Sequence, residues 1–128
     1  MNDPREKLWH REARRIVEFY LMTRGEIILK DNHVYYSVQF IEENDPKRKR
    51  YPGHTYDIFT DQRIIEIDDL DSHPKKNHKI NDRIAGKYAK ENLGMPFHRL
   101  LKEEICNRRG HIQNLEYVQK YLEDNLKE

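Results

Sequence analysis

Helical spacing of apolar residues appears in three separate stretches of this chain, and the segments between them alternate like strands. A chain that changes between these two periods must pack helices against a sheet. The predicted helices cover residues 8–24, 77–92 and 112–126, and Gly25 and Gly94 lie just beyond the first two. A length of 128 residues fits one compact unit, so residues 1–128 are expected to form a single domain.

Four strands are predicted between the first two helices, and a fifth precedes the last helix. One hairpin turns around Asp31 and Asn32, and a second turns around Asp61 and Gln62. The predicted strands are residues 26–30, 33–41, 56–58, 64–68 and 96–101. The order helix, four strands, helix, strand, helix predicts an α/β fold with one mixed central sheet flanked by helices.

The cysteine content and the hydropathy restrict where the protein works. A single cysteine, Cys106, excludes both an internal disulfide framework and a cysteine-rich zinc site, and it fits a reducing compartment. The start of the chain has no apolar segment of signal-peptide length, and no stretch approaches the roughly 20 apolar residues that span a bilayer. We therefore expect a soluble, cytoplasmic protein without a membrane partner.

Charge is distributed unevenly, although the formal net charge is only +1. A basic loop at residues 45–53 could contact the phosphates of a nucleic acid, whereas residues 66–71 are rich in carboxylates. The basic residues of the loop are Lys47, Arg48, Lys49 and Arg50. A nuclease needs both features, because phosphates must be attracted while cations are concentrated at one point.

The second hairpin brings two carboxylates together. A turn centred on Asp61 and Gln62 pairs Asp57 with Glu66, and residues directly opposite each other share one face. Opposed like charges are destabilising, so a divalent cation is expected to compensate them. Strand alternation adds Asp68 to the same face, and oxygen ligands without thiolates favour Mg²⁺ or Mn²⁺ over zinc. The alternative is a solvated acidic rim.

The order of the motifs resembles the PD-(D/E)xK nuclease superfamily, and in particular its branch similar to very-short-patch-repair endonucleases. The matching residues are Thr55-Tyr-Asp-Ile-Phe, Ile64-Ile-Glu-Ile-Asp-Asp, His73, Asp82, Arg83, Gly94 and His98-Arg99-Leu100. The resemblance implies a restriction-endonuclease-like fold and metal-dependent hydrolysis of DNA that leaves a 5′-phosphate.

Carried over by position, the resemblance assigns Asp57 and Glu66 as the central metal-binding carboxylates. The backbone carbonyl of Ile67 and the carboxylate of Glu12, on the first helix, are the further ligands it implies. His73 takes the place of a candidate proton-transfer group, with a plain loop histidine as the alternative.

The chain departs from the family at the signature lysine, whose position is occupied by Asp68. Lys87 falls on the apolar stripe of the second helix and could supply the positive group instead, with Lys79 as the second choice. The alternative for both is an ordinary surface lysine. The zinc-binding cysteines of the repair enzymes are also absent.

These features predict a metal-dependent DNA endonuclease that uses Mg²⁺ or Mn²⁺. A catalytically inert nucleic-acid-binding or assembly protein on the same fold is the alternative, favoured by the missing lysine. Ribonuclease activity is a third reading, and a homodimer is possible.

Overall fold

The computed structural model describes residues 6–44, 46, 53–69 and 76–127, with the backbone alone over residues 76–80. Its elements are α1 (Leu8–Thr23), β1 (His33–Tyr35), α2 (Val38–Asn44), β2 (Gly53–Thr55), β3 (Ile58–Phe59), β4 (Ile64–Asp68), α3 (Lys76–Glu91), β5 (Phe97–Leu101), α4 (Lys102–Ile105) and α5 (Leu115–Asn125). The predicted α/β class is therefore confirmed. Within these residues no helix has the length and apolar character needed to cross a membrane.

The strands form two small sheets, and the prediction of one central sheet is wrong. β3, β4 and β5 make a three-stranded sheet, in which β3 is antiparallel to β4 and β4 is parallel to β5. β1 and β2 form a separate antiparallel pair. A parallel pair needs a crossover connection, and α3 lies in the connection between β4 and β5.

Helices cover both faces of the three-stranded sheet. On one face, Ile65 packs in a core with Val17 of α1 and Leu122 of α5. On the other face, Ile64 packs with Ala85 of α3. Because side chains alternate along a strand, the residues of β4 are divided between these two layers.

The predicted first helix, second helix and last strand are confirmed to within one or two residues by α1, α3 and β5. The last helix begins at Leu115, three residues later than predicted. Its start is set by Asn114, whose side chain accepts a hydrogen bond from the backbone N–H of Tyr117. Ile112, predicted to lie in this helix, pairs instead with Cys106 in an isolated bridge.

The predicted hairpin of residues 26–30 and 33–41 is wrong. Ile28 forms an isolated bridge with Thr60, and β1 pairs with β2, with His33 opposite Thr55. The second half of the predicted strand is the helix α2.

The reason for this error lies in the spacing of two aromatic residues. Tyr36 and Phe40 are both buried, and a separation of four residues fits a strand face as well as a helix face. Val38, which a strand would place beside them, is 72% exposed. The hydroxyl of Ser37 accepts a hydrogen bond from the N–H of Phe40 at 3.1 Å, which favours the start of a helix there.

A buried ion pair ties the β3–β4 turn to the rest of the domain. The guanidinium of Arg63 contacts Glu26 at 3.0 and 3.1 Å and donates to the carbonyl of Leu126 at 2.7 Å. The side chains of Arg63 and Glu26 are 7% and 2% exposed. The hydroxyl of Thr60 also donates to Glu26. One carboxylate thus joins the segment after α1, the turn and the end of α5.

We expect Glu26→Ala to lower the free energy of unfolding by about 3–5 kcal/mol, because it leaves Arg63 buried without its charge partner. Urea denaturation measures the change. The matched control is Glu123→Ala, since Glu123 forms an exposed ion pair with Arg24 at 3.7 Å, and its loss should cost less than about 1 kcal/mol. Equal effects of the two substitutions would contradict the structural role of Glu26.

Candidate metal centre

Two largely buried carboxyl groups meet at the first residues of the β3–β4 hairpin. Ile58 lies opposite Ile65 as predicted, and Asp57 and Glu66 are the next residues beyond this pair. The two carboxyl groups lie close enough for each to shift the pKa of the other. Asp57 Oδ2 also accepts a hydrogen bond from the N–H of Ile67 at 2.7 Å. The side chains of Asp57 and Glu66 are 18% and 12% exposed.

The pKa values of the two carboxyl groups are shifted in opposite directions. Burial opposes ionisation of Asp57, but the hydrogen bond and charge of His10, helped by the Ile67 N–H, hold its pKa below the ordinary value. Burial and then the negative charge of Asp57 raise the pKa of Glu66 well above the ordinary value. The pair therefore holds a proton more tightly than two separate carboxyl groups would, and Glu66 is the member that stays protonated to the higher pH.

His10 reaches the pair from α1. Its Nε2 lies 2.8 Å from Asp57 Oδ1, and its Nδ1 contacts Glu6. Burial lowers the pKa of His10, but the hydrogen bonds and charges of Asp57 and Glu6 outweigh it and raise the pKa to about 8. Glu6 is itself bound by Arg14 at 3.0 Å. An imidazolium ion therefore stands beside the ionised Asp57 at neutral pH.

His54 reaches the pair from the other sheet. Its Nε2 lies 2.7 Å from Glu66 Oε1, and its ring packs edge-on against Tyr56 at 4.8 Å. Tyr56 is fully buried and its hydroxyl donates to the carbonyl of Ala85. The position of His54 is thus supported by a side chain anchored on α3.

Arg99 supplies the positive charge on this face of the sheet. It lies directly opposite Glu66 in the β4–β5 register, and its charge favours the ionised form of that carboxyl group. Its guanidinium also contacts Asp68 at 3.2 Å and donates to the backbone carbonyl of Asp82. The carboxylate at the signature-lysine position is therefore paired with an arginine from the neighbouring strand.

Two residues of the predicted site do not join the pair. α1 turns by about 100° per residue, so Glu12 points about 200° away from His10, which is the residue of α1 that contacts Asp57. The amine of Lys87 donates to Asn44 of α2 at 2.7 Å instead of reaching the carboxyl groups.

Other predicted residues lie outside the described part of the chain. They are His73 and the loop residues Lys47, Arg48, Lys49 and Arg50, and the side chain of Lys79 is likewise not described. The roles assigned to them stay predictions.

The donor set suits one class of metal. Among the described residues, no three or more His, Cys, Asp or Glu side chains are grouped so that they could hold an ion. Mg²⁺ is commonly bound by one or two carboxylates with water and substrate phosphates. Asp57 and Glu66 fit that habit. The N–H of Ile67 points to Asp57. The carbonyl of a strand residue points to the same edge of the strand as its N–H, so the carbonyl of Ile67 lies on the Asp57 side of β4 as well.

An open groove of about 1110 Å³ gives access to Asp57. It runs between α1 and the segments on either side of β1 and β2, and its charged lining combines Lys7, His10, Arg14 and Lys30 with Glu6, Glu18 and Asp57. Small-molecule pockets reach about 1,000 Å³. The size of the groove therefore suits part of a larger ligand, and its lining carries charges of both signs.

No protein-family model, no curated protein and no solved structure matches the chain in the comparisons with known proteins. The interpretation of the site therefore depends on its own geometry and on the motifs of the sequence.

One signal in the sequence could have revealed His10. Glu6, His10, Arg14 and Glu18 follow each other at four-residue spacing, which places them on one ridge of α1, and Arg14 contacts both glutamates. Charges of alternating sign along one ridge can form a network of ion pairs, and such a network can bind a buried charged side chain such as Asp57. No comparable local signal marks His54, because its contact with Glu66 depends on how two sheets meet.

We expect His10 in the metal-free protein to titrate at a pH of about 8, measured by NMR of the imidazole. The folded pKa lies above the unfolded value of 6.5, so the stabilisation is complete below pH 6.5 and is lost as the pH rises through 8. The shift corresponds to about 2 kcal/mol. Asp57→Asn should lower the midpoint, whereas the exposed control Asp124→Asn should not. A midpoint unaffected by Asp57→Asn would contradict this ion pair.

Proposed function

We propose that this chain is a metal-dependent endonuclease that hydrolyses phosphodiester bonds of DNA. The observation that carries the proposal is the position of Asp57 and Glu66, two largely buried carboxyl groups that lie together beside an open groove. A divalent cation bound by them would favour the ionised form of both carboxyl groups. The resemblance to the PD-(D/E)xK nucleases independently selects the same two positions.

Asp57 and Glu66, with the backbone carbonyl of Ile67, are the groups that would hold Mg²⁺ or Mn²⁺. When bound, the ion would polarise the phosphodiester and lower the pKa of its attacking water. Asp68 is a weaker candidate ligand, because its carboxylate is already paired with Arg99.

The surrounding residues prepare the pair for this role. Glu66 must lose its proton before it can bind a cation, and His54 Nε2, 2.7 Å from its Oε1, is placed to receive that proton. His10 and the N–H of Ile67 hold the Asp57 carboxylate in a fixed orientation. Arg99 places a positive charge beside Glu66, the role that the signature lysine would otherwise fill.

An inert nucleic-acid-binding protein is the second candidate. The ion pair of Asp68 and Arg99 at 3.2 Å favours it, because the cation beside Glu66 is partly neutralised by a neighbouring carboxylate. This candidate shares the fold and the nucleic-acid partner with the first and differs in lacking cleavage.

We expect Asp57→Asn and Glu66→Gln each to reduce cleavage by at least about 100-fold, because substitutions even one shell away from a metal cost 10–100-fold. Glu66→Gln should keep the fold, since an amide has the size of the carboxyl group and removes the repulsion from Asp57. Glu123→Gln, on the exposed surface of α5, is the matched control and should cleave like the wild type.

The experiment incubates supercoiled plasmid, single-stranded DNA and RNA with the protein in Mg²⁺, Mn²⁺ or chelator. Metal-dependent nicking of DNA that is lost in both site variants supports the proposal. Undiminished cleavage by either variant would place the active site elsewhere. Binding without cleavage in every metal would favour the inert candidate, and cleavage of RNA alone would replace DNA as the substrate.

A further inference from the structure

A basic groove of about 460 Å³ lies between α3 and β5. Its cationic lining consists of Arg83, Lys87, Lys90 and Arg99, and we call it the α3 groove. α3 packs on the face of the sheet that carries Ile64, and strand alternation places Glu66 on that face too. The α3 groove and the carboxyl pair are therefore on the same side of the sheet.

Two carboxylates, Asp82 and Glu91, also line the α3 groove, so its four cations leave an excess of positive charge. Lys87 lies 4.0 Å from Glu91 and is held by its hydrogen bond to α2. Arg83 and Lys90 are both exposed, and neither forms an ion pair with another residue that the structure describes. These two are the cations that an incoming anion would meet first.

The spacing of the cations matches a regular polyanion. Arg83, Lys87 and Lys90 are separated by four and three residues, so they share one face of α3. Seven residues of helix rise by about 10 Å, so the three cations form a row along which a polyanion can be contacted at more than one phosphate.

Arg99 connects the α3 groove to the carboxyl pair. It lines the groove, and it also lies opposite Glu66 in the strand register. An anionic chain that follows the cations of α3 towards Arg99 therefore arrives beside Glu66. A groove that ended elsewhere on the surface would have no such relation to the proposed chemistry.

An aromatic ring also faces the α3 groove. Phe97 is half-buried, and its ring lies 4.9 Å from the guanidinium of Arg99. Gly86 lets α3 pack closely against this ring, because a Cβ there would come within 3.1 Å of Phe97 Cε2. The ring therefore forms part of the wall of the α3 groove.

We propose that the α3 groove binds the sugar–phosphate backbone of a nucleic-acid strand and leads it to Asp57 and Glu66. This inference rests on the proposed function, because it identifies how the substrate of that site is held. Arg83 and Lys90 supply the exposed phosphate contacts, and Arg99 marks the end of the groove at the carboxyl pair.

The test measures binding of fluorescent oligonucleotides at several salt concentrations, with chelator present so that no cleavage occurs. The test variant is Arg83→Gln/Lys90→Gln. The matched control, Arg15→Gln/Lys120→Gln, removes the same charge from exposed positions on α1 and α5, which pack on the opposite face of the sheet. Thermal unfolding verifies that both variants are folded like the wild type.

Each lost phosphate contact should reduce the slope of log affinity against log salt by about 0.9 for duplex DNA and by about 0.7 for single strands. The slope of the groove variant should therefore be smaller than that of the wild type by about 1.8 for duplex DNA and by about 1.4 for single strands. The control should keep the wild-type slope. If affinities converge at 1 M salt, binding at 0.1 M falls about 60-fold for duplex and about 25-fold for single strands.

A wild-type slope in the groove variant would overturn the proposal, and so would equal losses in the groove variant and the control. Absence of binding by the wild type to any DNA or RNA would overturn it as well. Groove-dependent binding without cleavage in any metal would support the α3 groove while refuting the nuclease. Parallel arms with DNA, RNA and polyglutamate identify the strand. Polyglutamate that binds as tightly as the nucleic acids and loses as much affinity in the groove variant would overturn the assignment to a nucleic-acid strand.

Discussion

The closeness of the Asp57 and Glu66 carboxyl groups is the constraint around which this domain is organised. Pairing of β3 with β4 brings the two side chains together, although opposed carboxylates destabilise a hairpin. The surrounding structure makes the arrangement tolerable by supplying a backbone N–H and two histidines. Without these neighbours the register of the hairpin would place two charges in a poorly solvated space.

The residues that surround the two carboxyl groups come from different elements of the fold. His10 comes from α1, His54 from the small sheet of β1 and β2, and Arg99 from β5. The site therefore lies where two sheets and the first helix meet. The buried ion pair of Glu26 and Arg63 fixes the turn end of the hairpin. The other end, which carries Asp57 and Glu66, is positioned by the residues that contact it.

The sequence predicted the parts of this arrangement that depend on nearby residues. The register of Asp57 with Glu66 follows from alternation and one short turn, and α1 and α3 follow from apolar spacing. The partners were missed because they come from distant positions: 47 residues separate His10 from Asp57, and 31 separate Arg99 from Asp68. The helix α2 was mistaken for a strand because residues four apart satisfy both periods.

The parallel pairing of β4 with β5 has a consequence for how the protein folds. The β3–β4 hairpin closes a short loop, whereas β5 can join only after the chain between Asp68 and Phe97 has been ordered, and contacts of long sequence separation form slowly. Arg99 thus reaches Glu66 after the two acids have already been brought together. Early in folding the hairpin depends on a proton to relieve their repulsion, so mild acidity should speed the step in which it forms.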